Sequence, residues 1–246
     1  MIAKFNSIRE WKNYCFSTHI LYLKNPNFRI WINKKYIDIF NFSNLRQGDI
    51  DYIKLGIEDA IKIPDLHFKI NYSNDTYLQK MINSKSNYID SNKIVKIIIK
   101  ERMHNHKGHA AIFLVNKPIK SPSGVIIDGE ALTYVPEGII FFTFKSSKNY
   151  PHAFLRCRAK HETLHLLGLN LHHEDIEVYG YGHCVRCNMD YNATTEDLCR
   201  KCKDALVYFW KGIEYATKNK HISNSPKHSL KKSFIFFSTF LFKLFQ

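Results

Sequence analysis

Residues 161–165 read His-Glu-Thr-Leu-His. On a helix, His161 and His165 stand on one face, one turn apart. Two imidazoles so placed can take two adjacent corners of a tetrahedral zinc site. Glu162 follows the first of them and can reach a water on that metal. Zinc lowers the pKa of such a water to about 7 and polarises a carbonyl group. A carboxylate there acts as a general base, taking the water's proton and passing it to a leaving amine. This spacing therefore points to zinc-dependent hydrolysis of a peptide bond. The bland alternative is an amphipathic helix that happens to carry two surface histidines.

A catalytic zinc needs a third protein ligand and one open position. Gly168 follows His165 by three residues and would let the chain turn sharply, so that a loop residue reaches back to the metal. A long HExxHxxG spacing followed by a histidine is the pattern of the metzincin peptidases. Their usual third histidine lies three residues after the glycine, and that position is Leu171 here. His172 is the expected ligand, through a one-residue loop expansion. His173, Asp175 and His183 are the alternatives.

Four of the six cysteines form two close pairs, Cys184/Cys187 and Cys199/Cys202. This is the spacing of a structural zinc site closed by four thiolates, not of a disulfide framework. It would hold the loop that carries Met189, because metal binding substitutes for the core that a short loop-rich segment lacks. Cys15 and Cys157 read as ordinary buried cysteines. His104, His106 and His109 read as an exposed loop without a role.

The segment HETLHLLGLNLHHED, followed by CVRCNMD and CRKC, resembles the archaemetzincins, also called archaelysins. The resemblance covers roughly residues 151–202. It implies a metzincin-like three-layer α/β sandwich, with a twisted, mostly parallel sheet and one antiparallel edge strand. It also implies two zinc ions per chain, one catalytic and one structural, and aminopeptidase-like or endopeptidase activity. Carried over, His161 and His165 match the first two ligands, Glu162 the base, Cys187, Cys199 and Cys202 the structural ligands, and Met189 the methionine of the turn beneath the metal. The sequence departs from the family in two respects. The family places its first cysteine directly after the third histidine and four residues before the next cysteine, whereas here Cys184 is separated from His172, follows His183, and stands in CxxC spacing with Cys187.

The surrounding elements must position these groups. Pro151 suits the first turn of a helix that runs to Gly168. Residues 48–62 carry isoleucines at helical spacing, and 75–88 reads as a short polar helix. Strands are expected over 28–40, 67–72, 93–100, 110–115 and 138–144, with an edge strand over 124–135. The domain is expected to span 1–217: sheet and active-site helix to about 168, loop and cysteine module over 169–202, closing helix over 203–217. Residues 218–246 read as a linker and a basic, aromatic tail.

The chain has 246 residues, 45% of them hydrophobic, which excludes a disordered protein. A net charge of +14 suits weak contact with nucleic acid or an anionic surface, or reflects lysine scattered over a solvated face. The N-terminus carries no apolar run with a cleavage site, and no stretch reaches the length of a transmembrane segment, so a cytoplasmic location is expected. The tail would dock on the domain or touch a membrane surface. The expected partner is a peptide or protein substrate; oligomeric state is not legible. Two rival functions remain: a SprT- or Spartan-like protease acting on DNA-bound proteins, and a non-enzymatic basic zinc-binding nucleic-acid module.

Overall fold

The computed structural model describes residues 2–83, 86–104, 108–145, 148–182, 186–191 and 193–219. The expected tail, His104 side chain, His106, His183 and Cys184 therefore lie outside the described residues. In chain order the elements are β1 (Ala3–Phe5), α1 (Ile8–Lys24), α2 (Pro26–Lys34), β2 (Tyr36–Phe42), α3 (Gln47–Lys62), β3 (Lys69–Ser73), α4 (Thr76–Ile82), β4 (Ile89–Asp90) and α5 (Ser91–His104). Then follow β5 (Ala110–Val115), β6 (Ile119–Lys120), β7 (Ile126–Ile127), β8 (Ala131–Tyr134), β9 (Ile139–Thr143), α6 (His152–Leu166), a 3-10 turn (His173–Asp175), β10 (Ile176–Val178) and α7 (Arg200–Asn219).

The main sheet has the order β3-β2-β5-β9-β8. The first four strands are parallel; β8 runs antiparallel to β9 and forms one edge. Strand β5 is buried at every position, as expected of a parallel strand covered on both faces. Alternation divides its side chains between two cores. Ile112 and Leu114 join α3 and α6, through Ile53, Ile57, Leu155 and Leu164, while Phe113 and Val115 join α4 and α5, through Leu78 and Ile98. The architecture is thus helix–sheet–helix, a mixed α/β sandwich in three layers.

Of the expected strand over 28–40, residues 36–40 lie in β2 but 28–34 are helical, and the expected strand over 93–100 is helical throughout. Residues 26–34 start at Pro26, with the Asn25 side chain accepting from the Asn27 amide, and end where Lys35 takes a left-handed conformation. Caps and termini override the aromatic composition there. Residues 91–104 are rich in isoleucine, yet Ile94, Val95 and Ile98 fall on one helical face and enter the core. Asp90 accepts from the Lys93 amide at the start of that helix. Burial at period 3.6 outweighs the β-branched preference for strands.

Candidate metal centres and cleft

Helix α6 is fixed by its packing against α3. Gly56 on α3 lets the two backbones approach so closely that a Cβ there would meet the Arg156 carbonyl at 2.2 Å. Arg156 Nε donates to Asp59 Oδ2 of α3 at 2.8 Å, which adds a polar clamp. His161 and Glu162 are consequently buried, at 2% and 5% exposure. At its C-terminus the helix is stopped by Gly168, with φ +111. A Cβ on that residue would lie 2.5 Å from the Phe209 ring, so the sharp turn and the close packing of α7 both need glycine.

The turn delivers a third histidine. The donor atoms of His161, His165 and His172 all lie within 4.8 Å of one another. The Nδ1 of His161 faces the Asn188 carbonyl, and that of His165 faces the Leu169 carbonyl. Each Nδ1 must therefore carry the proton, leaving each Nε2 as a lone-pair acceptor. The two Nε2 atoms stand 3.1 Å apart. Two lone pairs so close suit a shared cation, and a carbonyl behind each ring is the arrangement that orients imidazole ligands. Burial holds all three imidazoles below their ordinary pKa, so the neutral, metal-binding form prevails near pH 7. His172 also stacks on Tyr191, with ring centroids 3.9 Å apart, and its Nδ1 lies 3.9 Å from Asp175 Oδ2.

Glu162 stands beside this cluster in a cleft of about 610 Å³. Its Oε2 accepts from Thr133 Oγ1 at 2.7 Å, so the edge strand β8 holds the carboxylate from across the cleft. Arg158, one turn earlier on α6, approaches Oε1 to 3.6 Å. Thr133 is brought to Glu162 only by the fold, whereas Arg158 reaches it as an i, i+4 neighbour on the same helix.

The cysteines form a second centre. Cys187, Cys199, Cys202 and His173 present donor atoms within 4.8 Å of one another. His173 Nδ1 lies 3.2 Å from Cys199 Sγ and 3.8 Å from Cys202 Sγ. The His173 backbone is anchored twice: its amide donates to the Met189 carbonyl and its carbonyl accepts from Lys201 Nζ. His173, one alternative third ligand, is thus placed with the thiols and not with His161. It directly follows His172 in the chain. Hydrogen bonds from Cys199 and Cys202 drive the Cys187 thiol down, while the Cys187 thiolate pushes the other two up. Without a cation the trio favours a single thiolate; a divalent metal would let all three ionise.

Segment 187–189 belongs to both centres. Cys187 joins the thiols, the Asn188 carbonyl orients His161, and Met189 is fully buried in the core beneath. The Asn188 side chain donates to the Cys157 and Thr195 carbonyls and fixes the loop. Cys157 and Cys15 are buried, outside both clusters. His109 is not a free loop residue: it stacks on Tyr36 and pairs with Asp38 at 2.9 Å. Among the described residues no helix is long and apolar enough to cross a membrane.

No family model and no curated protein matches the chain. Among solved structures, it is similar to the crystal structure of archaemetzincin (amzA) from Methanopyrus kandleri, with a TM-score of 0.46, 11% identity, and coverage of 73% of this chain and 95% of that one. At that score and identity the likeness assigns no family, and the chemistry of the site rests on the geometry of the three histidines and Glu162.

Proposed function

We propose that the protein is a zinc metallopeptidase in which His161, His165 and His172 hold the catalytic ion and Glu162 is the general base. The observation that carries this reading is the convergence of three neutral imidazoles beside a buried carboxylate that lines an open cleft. Zinc bound there supplies the polarisation of a carbonyl group and the acidification of water. Glu162 takes the proton of the attacking water and returns it to the leaving amine. Thr133 keeps one carboxylate oxygen engaged, which aims the other at the reacting centre. Strand β8 pairs with β9 on one side only and borders the cleft, so its other edge is suited to pair with an extended peptide.

His173, Cys187, Cys199 and Cys202 hold a second, structural zinc. Three sulfurs and one nitrogen form a closed set with no position for substrate. This centre fixes segment 187–189 and so the orientation of His161.

The test is Glu162→Gln. The amide keeps the shape and leaves the histidines in place, so metal content and thermal unfolding should match the wild type. Hydrolysis of a mixed peptide library should fall by about 10²–10⁴-fold. A variant that cleaves as fast as the wild type removes Glu162 from the mechanism. A wild-type protein that holds zinc yet cleaves no peptide, but shifts DNA in a salt-dependent manner, returns the nucleic-acid module instead.

A further inference from the structure

The hydrolytic reading leaves two cations of the cleft unused, Arg158 and Lys148. Arg158 projects from the face of α6 that also carries His161 and His165, at i+3 and i+7 from it. Its Nε is shielded from water and has no hydrogen-bond partner. The nearest carboxylate oxygen, on Glu162, is 3.6 Å away, an ion pair beyond hydrogen-bond distance, and the other oxygen of Glu162 is already held by Thr133. The Arg158 side chain as a whole is 24% exposed. Lys148 enters the same cleft from the segment after β9, its ammonium 5.4 Å from the centre of the Tyr150 ring. Glu130 also lines the cleft and forms no ion pair with either cation among the described residues.

A guanidinium is a planar fork of donors that matches a carboxylate with two parallel hydrogen bonds. Arg158 lies three residues before His161, about 4.5 Å along the helix axis. An extended peptide advances about 3.3–3.6 Å per residue. A carboxylate that meets Arg158 therefore sits within a few residues of the scissile bond. We propose, building on the peptidase reading above, that Arg158, assisted by Lys148, selects peptides bearing a carboxylate at that distance. An Asp or Glu side chain and a free C-terminal carboxylate share this chemistry.

The experiment uses one peptide scaffold with Glu or Gln at each position around the cleaved bond, and with a C-terminal acid or amide. At one place the acid should be preferred over the amide by roughly 10–100-fold in kcat/KM. A preference at an internal position identifies a side chain, and one at the end identifies the terminus. Arg158→Gln should bring the ratio to within about threefold of unity. Arg158→Lys should retain part of it, since the charge remains and the fork is lost. The ratio within each variant cancels any slowing of the chemistry caused by disturbing Glu162. Binding of the same peptides to the zinc-loaded Glu162→Gln protein should show the same ratio in Kd without turnover. A wild-type ratio near unity everywhere, or one that survives Arg158→Gln, overturns the proposal. Absence of any cleavage, with the acid preference intact in binding, overturns the peptidase reading and leaves Arg158 as the carboxylate site.

Discussion

His172 and His173 are consecutive in the chain, yet their rings serve different clusters: His172 stands with His161 and His165, and His173 Nδ1 lies 3.2 Å from Cys199 Sγ. Alanine substitutions should therefore separate the two centres. His172→Ala should reduce zinc from about two ions per chain to about one and abolish hydrolysis, with little loss of stability. His173→Ala should also lose one ion, but lower stability by on the order of 4 kcal/mol, a fall in Tm of about 10 °C. His173→Cys should restore much of it. Metal analysis with calorimetry decides, and identical phenotypes for the two alanine variants would refute the assignment.

The Thr133–Glu162 hydrogen bond should be visible in kinetics. Thr133→Val keeps the shape and removes the donor. Activity should fall by about 10- to 100-fold, the effect of losing one hydrogen bond to a charged group. Metal content should stay at the wild-type level, and Thr133→Ser should recover most of the rate. A Thr133→Val enzyme with full activity would show that Glu162 needs no support from the edge strand.

Acid should strip the histidine centre only below the usual imidazole range. Burial lowers the pKa of His161, His165 and His172 from 6.5, which favours their neutral forms. Protons compete for the ring nitrogens only once the pH drops past those lowered values. Bound metal should thus persist through pH 6.5 and be released as the pH falls further. A release midpoint above pH 7, followed by metal analysis after dialysis, would contradict this.

Gly168→Ala should destabilise the fold by about 1–3 kcal/mol from backbone strain alone. The new Cβ would also meet Phe209 at 2.5 Å. Trimming the ring by Phe209→Leu should relieve the clash but not the strain of φ +111. Thermal unfolding of the single and double variants measures both parts; a Gly168→Ala protein as stable as wild type would sink the argument.

The parts legible in the sequence were those with short-range signatures. The HExxH helix, the turn at Gly168, strands β5 and β9, and helix α3 all announce themselves through spacing or period. Helices α2 and α5 did not, because isoleucine and aromatic residues favour strands locally and only burial on one face reveals the helix. The place of His173 beside the three thiols was not legible for another reason: it depends on how the loop after Gly168 folds back onto Cys187, Cys199 and Cys202, and no spacing rule carries that contact. Thr133 and Arg158 lie 29 and 4 residues from Glu162. Neither belongs to a spacing rule, since the first contact is made by sheet topology and the second is one of many i, i+4 pairs.

Residues 187–189 couple the two clusters, because Cys187 joins the thiols and the next residue's carbonyl faces His161 Nδ1. Substitutions at the two metal centres should therefore show epistasis. A weakened thiol set would be paid for in catalytic alignment, and a mild defect at His161 would become severe once the thiol set is compromised. If both sets bind metal as proposed, the scaffold ties the thiol set and the imidazole set together, so changes at one should constrain changes tolerated at the other.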